Sequence, residues 1–429
     1  MACKKIKKES EIEWEKLLRE VKTLRERDHE NIIPLLSSFT AGVPNRDPDN
    51  KHEHLWLMMP YADGGSMEGW LKENRPPNLP KSGTITLKDD SFRQSHVEDA
   101  MKGLVSGLTY IHREINGMVG FHHDIKPSNI VLFSKPKPIW KICDFGAANL
   151  KDPKEGTGTA HTSNNGFGSY IYRPPEYFDD EDNNEHGRAF DVYSLGCVLL
   201  ELTTIHRFGW EAEELAKFES QRSNNTEHTY TGNLKPKDDT SFHNSPGIVS
   251  SWIKHLKDAY ENHEEDSTKA TRLVKILDII QEMLDSRYLR IFAWEVDMEL
   301  FEIFNPNVSE RMAAERLQSV VQQSVVPLDR TKKQHNPMER AILHSKPQWW
   351  INILQGRDWS YSEPSLSRSS TSMTFTDKEV PISTLDKMET PRYFRNSYFF
   401  GRHDIHEKII GGLKARNQAV GLYGKSGIG

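Results

Sequence analysis

The sequence predicts an α+β fold, and two patterns carry that prediction. Apolar runs of strand length, Leu55 to Met59, Ile130 to Phe133 and Ile139 to Ile142, lie in the first third of the chain, bounded by polar and turn residues. Longer stretches with apolar residues at helical spacing surround and follow them, as from Phe92 to His112 and from Leu273 to Leu284. At 429 residues the chain has room for two or three domains and for a sizeable core.

Composition excludes several function classes. A formal net charge of −6 gives no electrostatic footprint for nucleic acid or for an anionic membrane. The three cysteines, Cys3, Cys143 and Cys197, are far apart and lack metal-ligand spacing, so neither a disulfide framework nor a zinc site is expected. No run has the eighteen or so apolar residues of a membrane helix, and the basic N-terminus lacks an apolar segment. These readings predict a soluble cytoplasmic protein, with a nuclear location left open, and neither nucleic acid nor membrane as partner.

The most informative stretch runs from Phe121 to Gly146. It reads Phe-His-His-Asp-Ile-Lys-Pro-Ser-Asn and then, past a strand and a turn, Lys-Ile-Cys-Asp-Phe-Gly. Asp124, Lys126, Asn129 and Asp144 sit around two apolar runs, a pattern that predicts a loop, a β-hairpin and a second loop. Such a layout can bring a base, a cation and two oxygen ligands to one phosphate, which is what transfer of the γ-phosphoryl group of Mg-ATP requires. The stretch resembles the eukaryotic protein kinases, whose catalytic loop is commonly His-Arg-Asp-x-Lys-x-x-x-Asn and whose metal loop is Asp-Phe-Gly. The resemblance implies a two-lobed fold, with a small lobe over about 1–60 and a mainly helical large lobe over about 61–320. It also implies ATP and Mg²⁺ as cofactors. Asp124 would be the base, Lys126 the cation on the transferred group, and Asn129 and Asp144 the metal ligands. Phe145 and Gly146 complete the metal loop, and His122 is expected to pack rather than react.

The other elements follow in chain order. Ala2-Cys3-Lys4 resembles the end of the kinase strand whose lysine holds the ATP phosphates; a solvated basic run, Lys4 to Lys8, is the plainer account. From Glu9 to Arg27 the residues Leu17, Leu18, Val21 and Leu24 fall at helical spacing, and the resemblance implies that Glu20 on this helix pairs with Lys4. The strand ending at Met59 resembles the approach to the kinase hinge, which would make Met59 the gatekeeper and the Pro60 carbonyl and Ala62 N–H the adenine contacts. His123 stands where the family commonly has arginine. A side chain mostly neutral at pH 7 cannot replace that fixed charge, so activity is expected not to depend on activation-loop phosphorylation. Gly168 to Glu176 resembles the substrate-binding end of an activation segment. Ser169 within it, with Lys126, resembles Ser/Thr-specific members, so the expected partner is a protein substrate bearing Ser or Thr. Asp191 opens an apolar helix. The resemblance implies that it braces the catalytic loop and that Glu176 pairs with Arg311, while an ordinary N-cap is the alternative for Asp191.

Two stretches read as surface insertions, about 211–246 and 285–304. Past Gln322 the resemblance stops. A linker is expected over 321–395, with a short amphipathic piece at Trp349 to Leu354 and a Ser/Thr-rich, disordered part at 360–376. Residues 396–429 end Gly-Lys-Ser-Gly-Ile-Gly and resemble the opening of an NTPase domain of the NB-ARC or STAND type, an intramolecular partner for the kinase part. The Gly-x-Gly-x-x-Gly loop of the family is not in the sequence, which opens at the strand that follows it, so the expected small lobe is incomplete; a fragment is the preferred account and a degenerate lobe the alternative. The function predicted is that of a protein serine/threonine kinase in intracellular signalling. The alternative is a pseudokinase or interaction module relaying signals to the attached NTPase.

Overall fold

The computed structural model describes residues 1–7, 21, 28–43, 52–73, 90–115, 118–135, 137–145, 149–151, 170–178, 187–209, 213–225, 239–263, 267–322 and 335–357. Glu20, Gly146, Ser169, the Ser/Thr-rich stretch and the expected NTPase opening lie outside the described residues.

Near the N-terminus, β1 (Ala2–Lys7), β2 (Ser37–Val43) and β3 (His52–Met59) form an antiparallel sheet in the order β1-β3-β2. The register sets Lys4 opposite Leu57 and Ala2 opposite Met59. A small core of Val21 and Leu55, with Ile6, Leu35 and Leu57 against it, lies beside this sheet. The His29 to Ile33 turn is pinned to the rest of the molecule by backbone bonds: Ile33 N donates to Ile142 O at 2.9 Å and Ile142 N to Asn31 O at 2.8 Å.

After β3 the chain enters α1 (Met67–Glu73) and then α2 (Asp90–Ile111). The predicted stripe of Val97, Met101, Leu104, Val105, Leu108 and Ile111 is buried throughout, as the 3.6-residue period requires for one face against a core. Two short strands, β4 (Glu114–Ile115) and β5 (Met118–Phe121), lead into the loop that starts at His122. The hairpin of β6 (Ile130–Phe133) and β7 (Ile139–Ile142) occupies the two apolar runs read from the sequence and pairs Ile130 with Ile142 and Phe133 with Ile139. Gly64 is needed on its outer side. Its N–H donates to Leu132 O at 2.9 Å, and a Cβ there would lie 2.6 Å from Leu132 Cγ. β8 (Asn149–Lys151) pairs with β5.

The large lobe is helical. Its axis is α3 (Arg188–Phe208), buried along nearly its whole length. Around it stand α4 (Glu214–Ser223), α5 (Pro246–His263) and α6 (Ser267–Met283). Both stretches expected to be surface insertions contribute to the interior instead. In the first, Phe218 of α4 is fully buried and stacks on Trp252 at 4.8 Å, and Arg222 Nε donates to Thr240 O at 2.8 Å. In the second, α7 (Ala293–Phe304) is apolar on two faces. Ala293, Val296 and Leu300 join the main core, while Trp294 and Met298 join a second one. Ala293, Val296 and Leu300 on one side and Trp294 and Met298 on another make two apolar stripes on one helix, each needing a core, and that is the signal the insertion reading passed over.

The second core is built by α7, α8 (Glu310–Gln322), α9 (Pro337–Leu343) and α10 (Gln348–Leu354). Trp349, Trp350 and Ile353 of α10 are buried there, so the amphipathic piece packs back as its pattern predicts, and part of the expected linker is folded. Among the described residues no helix is long and apolar enough to cross a membrane.

Candidate active site

The site is assembled around one buried carboxylate. Asp191, in the first turn of α3 and 0 % exposed, accepts the backbone N–H groups of His122 (2.8 Å) and His123 (2.6 Å) and lies 3.0 Å from His112 Nε2. Burial alone would push its pKa up. The hydrogen bond and charge of His112 outweigh this, holding it at about 2. An ionised carboxylate so held fixes the loop backbone from beneath. His122 is fully buried with Nε2 3.0 Å from Cys143 O, and burial lowers its pKa, so it packs as a neutral ring.

The loop closes on Asp124. Asn129 Nδ2 donates to Asp124 O at 2.8 Å and to Asp124 Oδ2 at 2.7 Å, and Lys126 Nζ lies 2.8 Å from the same Oδ2. A short 3₁₀ turn, Pro127–Asn129, makes this possible by bringing Asn129 back over the loop, and Cys143 N then donates to Asn129 O at 2.9 Å, tying β7 to it. Asp144 carries a positive φ of 63° and His123 one of 60°, in the left-handed region that non-glycine residues seldom occupy. Lys4 Nζ forms an ion pair with Asp144 Oδ1. The lysine of β1 is thus brought to the metal loop, while the Glu20 partner read for it falls outside the described residues.

An apolar group adjoins these polar atoms. Ile33, Ala62, Val131 and Cys143 are buried together, with Met59, Phe133 and Phe145 packed against them. Met59 and Ala62, read from the sequence as hinge residues, therefore share one cluster with both neighbours of Asp144, and Pro60 lies half-buried between Met59 and Ala62. Phe145 also sets its ring edge-on to His122 at 4.8 Å, linking this cluster to the catalytic loop. Burial, with the charge of Asp144 beside it, pushes the Cys143 thiol up to about 12, so it behaves as an inert apolar side chain.

The stretch from Tyr170 to Phe178, read from the sequence as the end of an activation segment, is held from two sides. Ser194 Oγ donates to Tyr172 O at 2.9 Å, and Phe242 N donates to Ile171 O at 3.1 Å. Tyr172 Oη donates to both oxygens of Glu201, at 3.1 and 3.2 Å. Glu176 is buried and bonded by Arg290, through Nη1 at 2.5 Å and Nη2 at 3.1 Å. This corrects the expected Glu176 to Arg311 pair. Arg311 is exposed on α8 and bonds Glu315 one turn away at 2.9 Å. Arg290 was missed because it lies in the stretch read as an insertion, although an arginine just after the helix ending at Met283 was available as the signal. Tyr172 and Glu201 carried no local signal at all. His123 stacks on Phe121 at 5.4 Å and meets Phe190 edge-on at 5.7 Å, so it is lodged among aromatic rings.

The donor set suits a hard divalent cation. Asn129 spends its Nδ2 on Asp124, leaving Oδ1 as an oxygen donor, and Asp144 supplies a carboxylate. Mg²⁺ keeps several waters and takes the remaining ligands from phosphates, so a set this small fits it. No group of three or more His, Cys, Asp and Glu suited to a metal occurs among the described residues.

The chain is 32% identical over 191 residues to Receptor-like kinase LIP1 of Arabidopsis thaliana, covering 44% of this chain and 25% of that one. It is 28% identical over 220 residues to the interferon-induced, double-stranded RNA-activated protein kinase of Rattus norvegicus, covering 48% and 37%. With cyclin-dependent kinase 12 of Caenorhabditis elegans it shares 30% over 207 residues, 48% of this chain and 24% of that one. The aligned stretches thus span between 24% and 37% of the length of these relatives. Residues 1–291 match the protein kinase domain family, and with two thirds of its length inside that match the chain belongs to the protein kinase family.

Proposed function

We propose that this chain transfers the γ-phosphoryl group of ATP to serine or threonine hydroxyls of protein substrates in an intracellular signalling setting. The observation that carries the reading is the convergence of Lys126 and Asn129 on Asp124, on a loop braced by Asp191. In this reading the Asp124 carboxylate accepts the proton of the substrate hydroxyl as its oxygen bonds the γ-phosphorus and the bond to ADP breaks. Lys126 offsets charge on the group in flight, and Lys4 offsets charge on the phosphates. Mg²⁺, held by Asn129 and Asp144, would neutralise the phosphate oxygens when bound. Met59, Pro60 and Ala62 border the adenine, and the 170–176 stretch presents the substrate. Ser169 and Gly146 belong to this proposal on sequence grounds. So do the kinase domain over about 1–320, the NB-ARC-type opening at 396–429 and the cytoplasmic location.

The test is transfer from Mg-ATP to casein by the parent and by Asp124→Asn. Loss of at least about a hundredfold in rate, with an unchanged melting temperature, is expected. A variant as active as the parent would overturn the assignment. The second reading, an interaction module relaying signals to an attached NTPase, is favoured by His123, which fills the arginine position with a ring packed on Phe121 and Phe190. Absence of both transfer and ATP binding in the parent would decide for it.

A further inference from the structure

The segment from His335 to Lys346 crosses the corner between α6 and α7, and that corner carries Arg290. On one flank, His335 N donates to Tyr288 O, and His335 Nε2 lies 2.7 Å from Glu295 Oε2. On the other, Arg340 of α9 reaches both helices at once. Its Nε and Nη2 take the two oxygens of Glu282 on α6 at 2.5 and 3.1 Å, and Nη1 takes Glu299 Oε1 on α7 at 2.7 Å. Only 8 % of Arg340 is exposed, so these bonds form in a setting where water competes little. Lys346 is different: it bonds Glu299 at 2.9 Å and Glu302 at 2.6 Å, both on α7. Of these two cations, only Arg340 spans the corner.

What the corner holds is the activation segment. Arg290 Nε and Nη2 donate to Asp285 O at 3.0 and 2.8 Å, Nη1 donates to Ala189 O at 2.8 Å, and the guanidinium grips Glu176. A guanidinium engaged in this many directions holds its carboxylate in place only if its own backbone is fixed. Arg290 lies between α6 and α7, and Arg340 bonds a carboxylate on each of these helices.

We infer that Arg340 is a positioning residue for phosphoryl transfer: by bridging Glu282 and Glu299 it fixes the corner that anchors Glu176, and so the substrate-binding end of the activation segment. The contribution to catalysis rests on the kinase reading; the mechanical contribution does not. The experiment compares the full chain with Arg340→Ala and with Lys346→Ala. Amide hydrogen exchange is followed over 170–178, and steady-state transfer to casein is measured at varied casein and varied ATP.

Arg340→Ala is expected to speed exchange over 170–178 while that of 130–133 stays as in the parent, and to raise the casein KM about tenfold with the ATP KM within about twofold. Lys346→Ala is expected to leave all of these near parental values. Equal effects of the two variants, or parental exchange in Arg340→Ala, would overturn the inference. If Arg340→Ala fails to fold, Glu282→Gln, which keeps the bond to Glu299, is read by the same criteria. If the parent transfers no phosphate, the kinase reading fails and the exchange data alone decide this one.

Discussion

Asp191 and Glu201 stand on the same helix, one near its start and one in its second half, and both are almost fully shielded from water. Their electrostatics are opposite. Asp191 collects two backbone N–H groups and His112 and is held at about 2. Glu201 has the Tyr172 hydroxyl and, at 3.9 Å, one guanidinium nitrogen of Arg222, whose charge lies 4.1 Å from the rings of both Phe218 and Phe242. Burial, only partly offset by Arg222 and the Tyr172 hydroxyl, pushes Glu201 up to about 7. The comparison teaches that burial does not decide the charge of an interior carboxylate. The number and closeness of donors does, because each donor offsets part of the same desolvation penalty.

The largest way to break the comparison is Asp191→Ala. It leaves the N–H groups of His122 and His123 and the ring of His112 facing a void without their acceptor, and a loss of about 3 to 5 kcal/mol is expected with collapse of transfer activity. Denaturant midpoints measure the loss. In the parent, the carboxyl falls from 3.8 unfolded to about 2 folded, so its stabilisation is present above pH 3.8 and is lost as pH drops toward 2.

Glu201 gives the opposite slope. Its pKa rises from 4.5 unfolded to about 7 folded, so between those values the folded state binds the extra proton and stability falls as pH rises, by an amount on the order of 3 kcal/mol. Glu201→Gln keeps the hydrogen-bonding oxygen and removes the charge. Melting temperature against pH is expected to lose that decline between 4.5 and 7. A variant curve parallel to the parent's would show that Glu201 is ionised throughout. The smallest effect belongs to Arg311→Ala, which removes a solvent-facing i,i+4 pair and is expected to change stability by less than about 0.5 kcal/mol, with unaltered transfer. A drop in activity there would return Arg311 to the anchoring role that Arg290 holds.

How much of this was legible in the sequence follows from distance along the chain. Asp124, Lys126, Asn129 and Asp144 lie within one short stretch whose apolar runs fix a hairpin, and the hairpin formed where those runs predict. Lys4 is far from Asp144 in sequence, yet its strand signal and the resemblance pointed to the phosphate site, and the two side chains meet. Arg290 was legible only as an arginine soon after the helix ending at Met283, a signal that was passed over. The sequence reading names Arg311 alone, because the stretch that holds Arg290 reads as a surface insertion. The helices past residue 291 were half legible: α10 announced itself by Trp349, Trp350 and Ile353, whereas α9, with its buried Arg340, looked polar.

The sequence by itself determined the α+β elements, the order of the motifs and the residues around Asp124, because period, turn chemistry and close spacing are properties of a local stretch of chain. Only the tertiary structure decided which arginine holds Glu176, why the Asp191 carboxyl is held low while that of Glu201 is raised, and that Arg340 ties α6 to α7. Each of these depends on which donors converge on a carboxylate removed from water, and convergence between distant segments is fixed only when the helices pack.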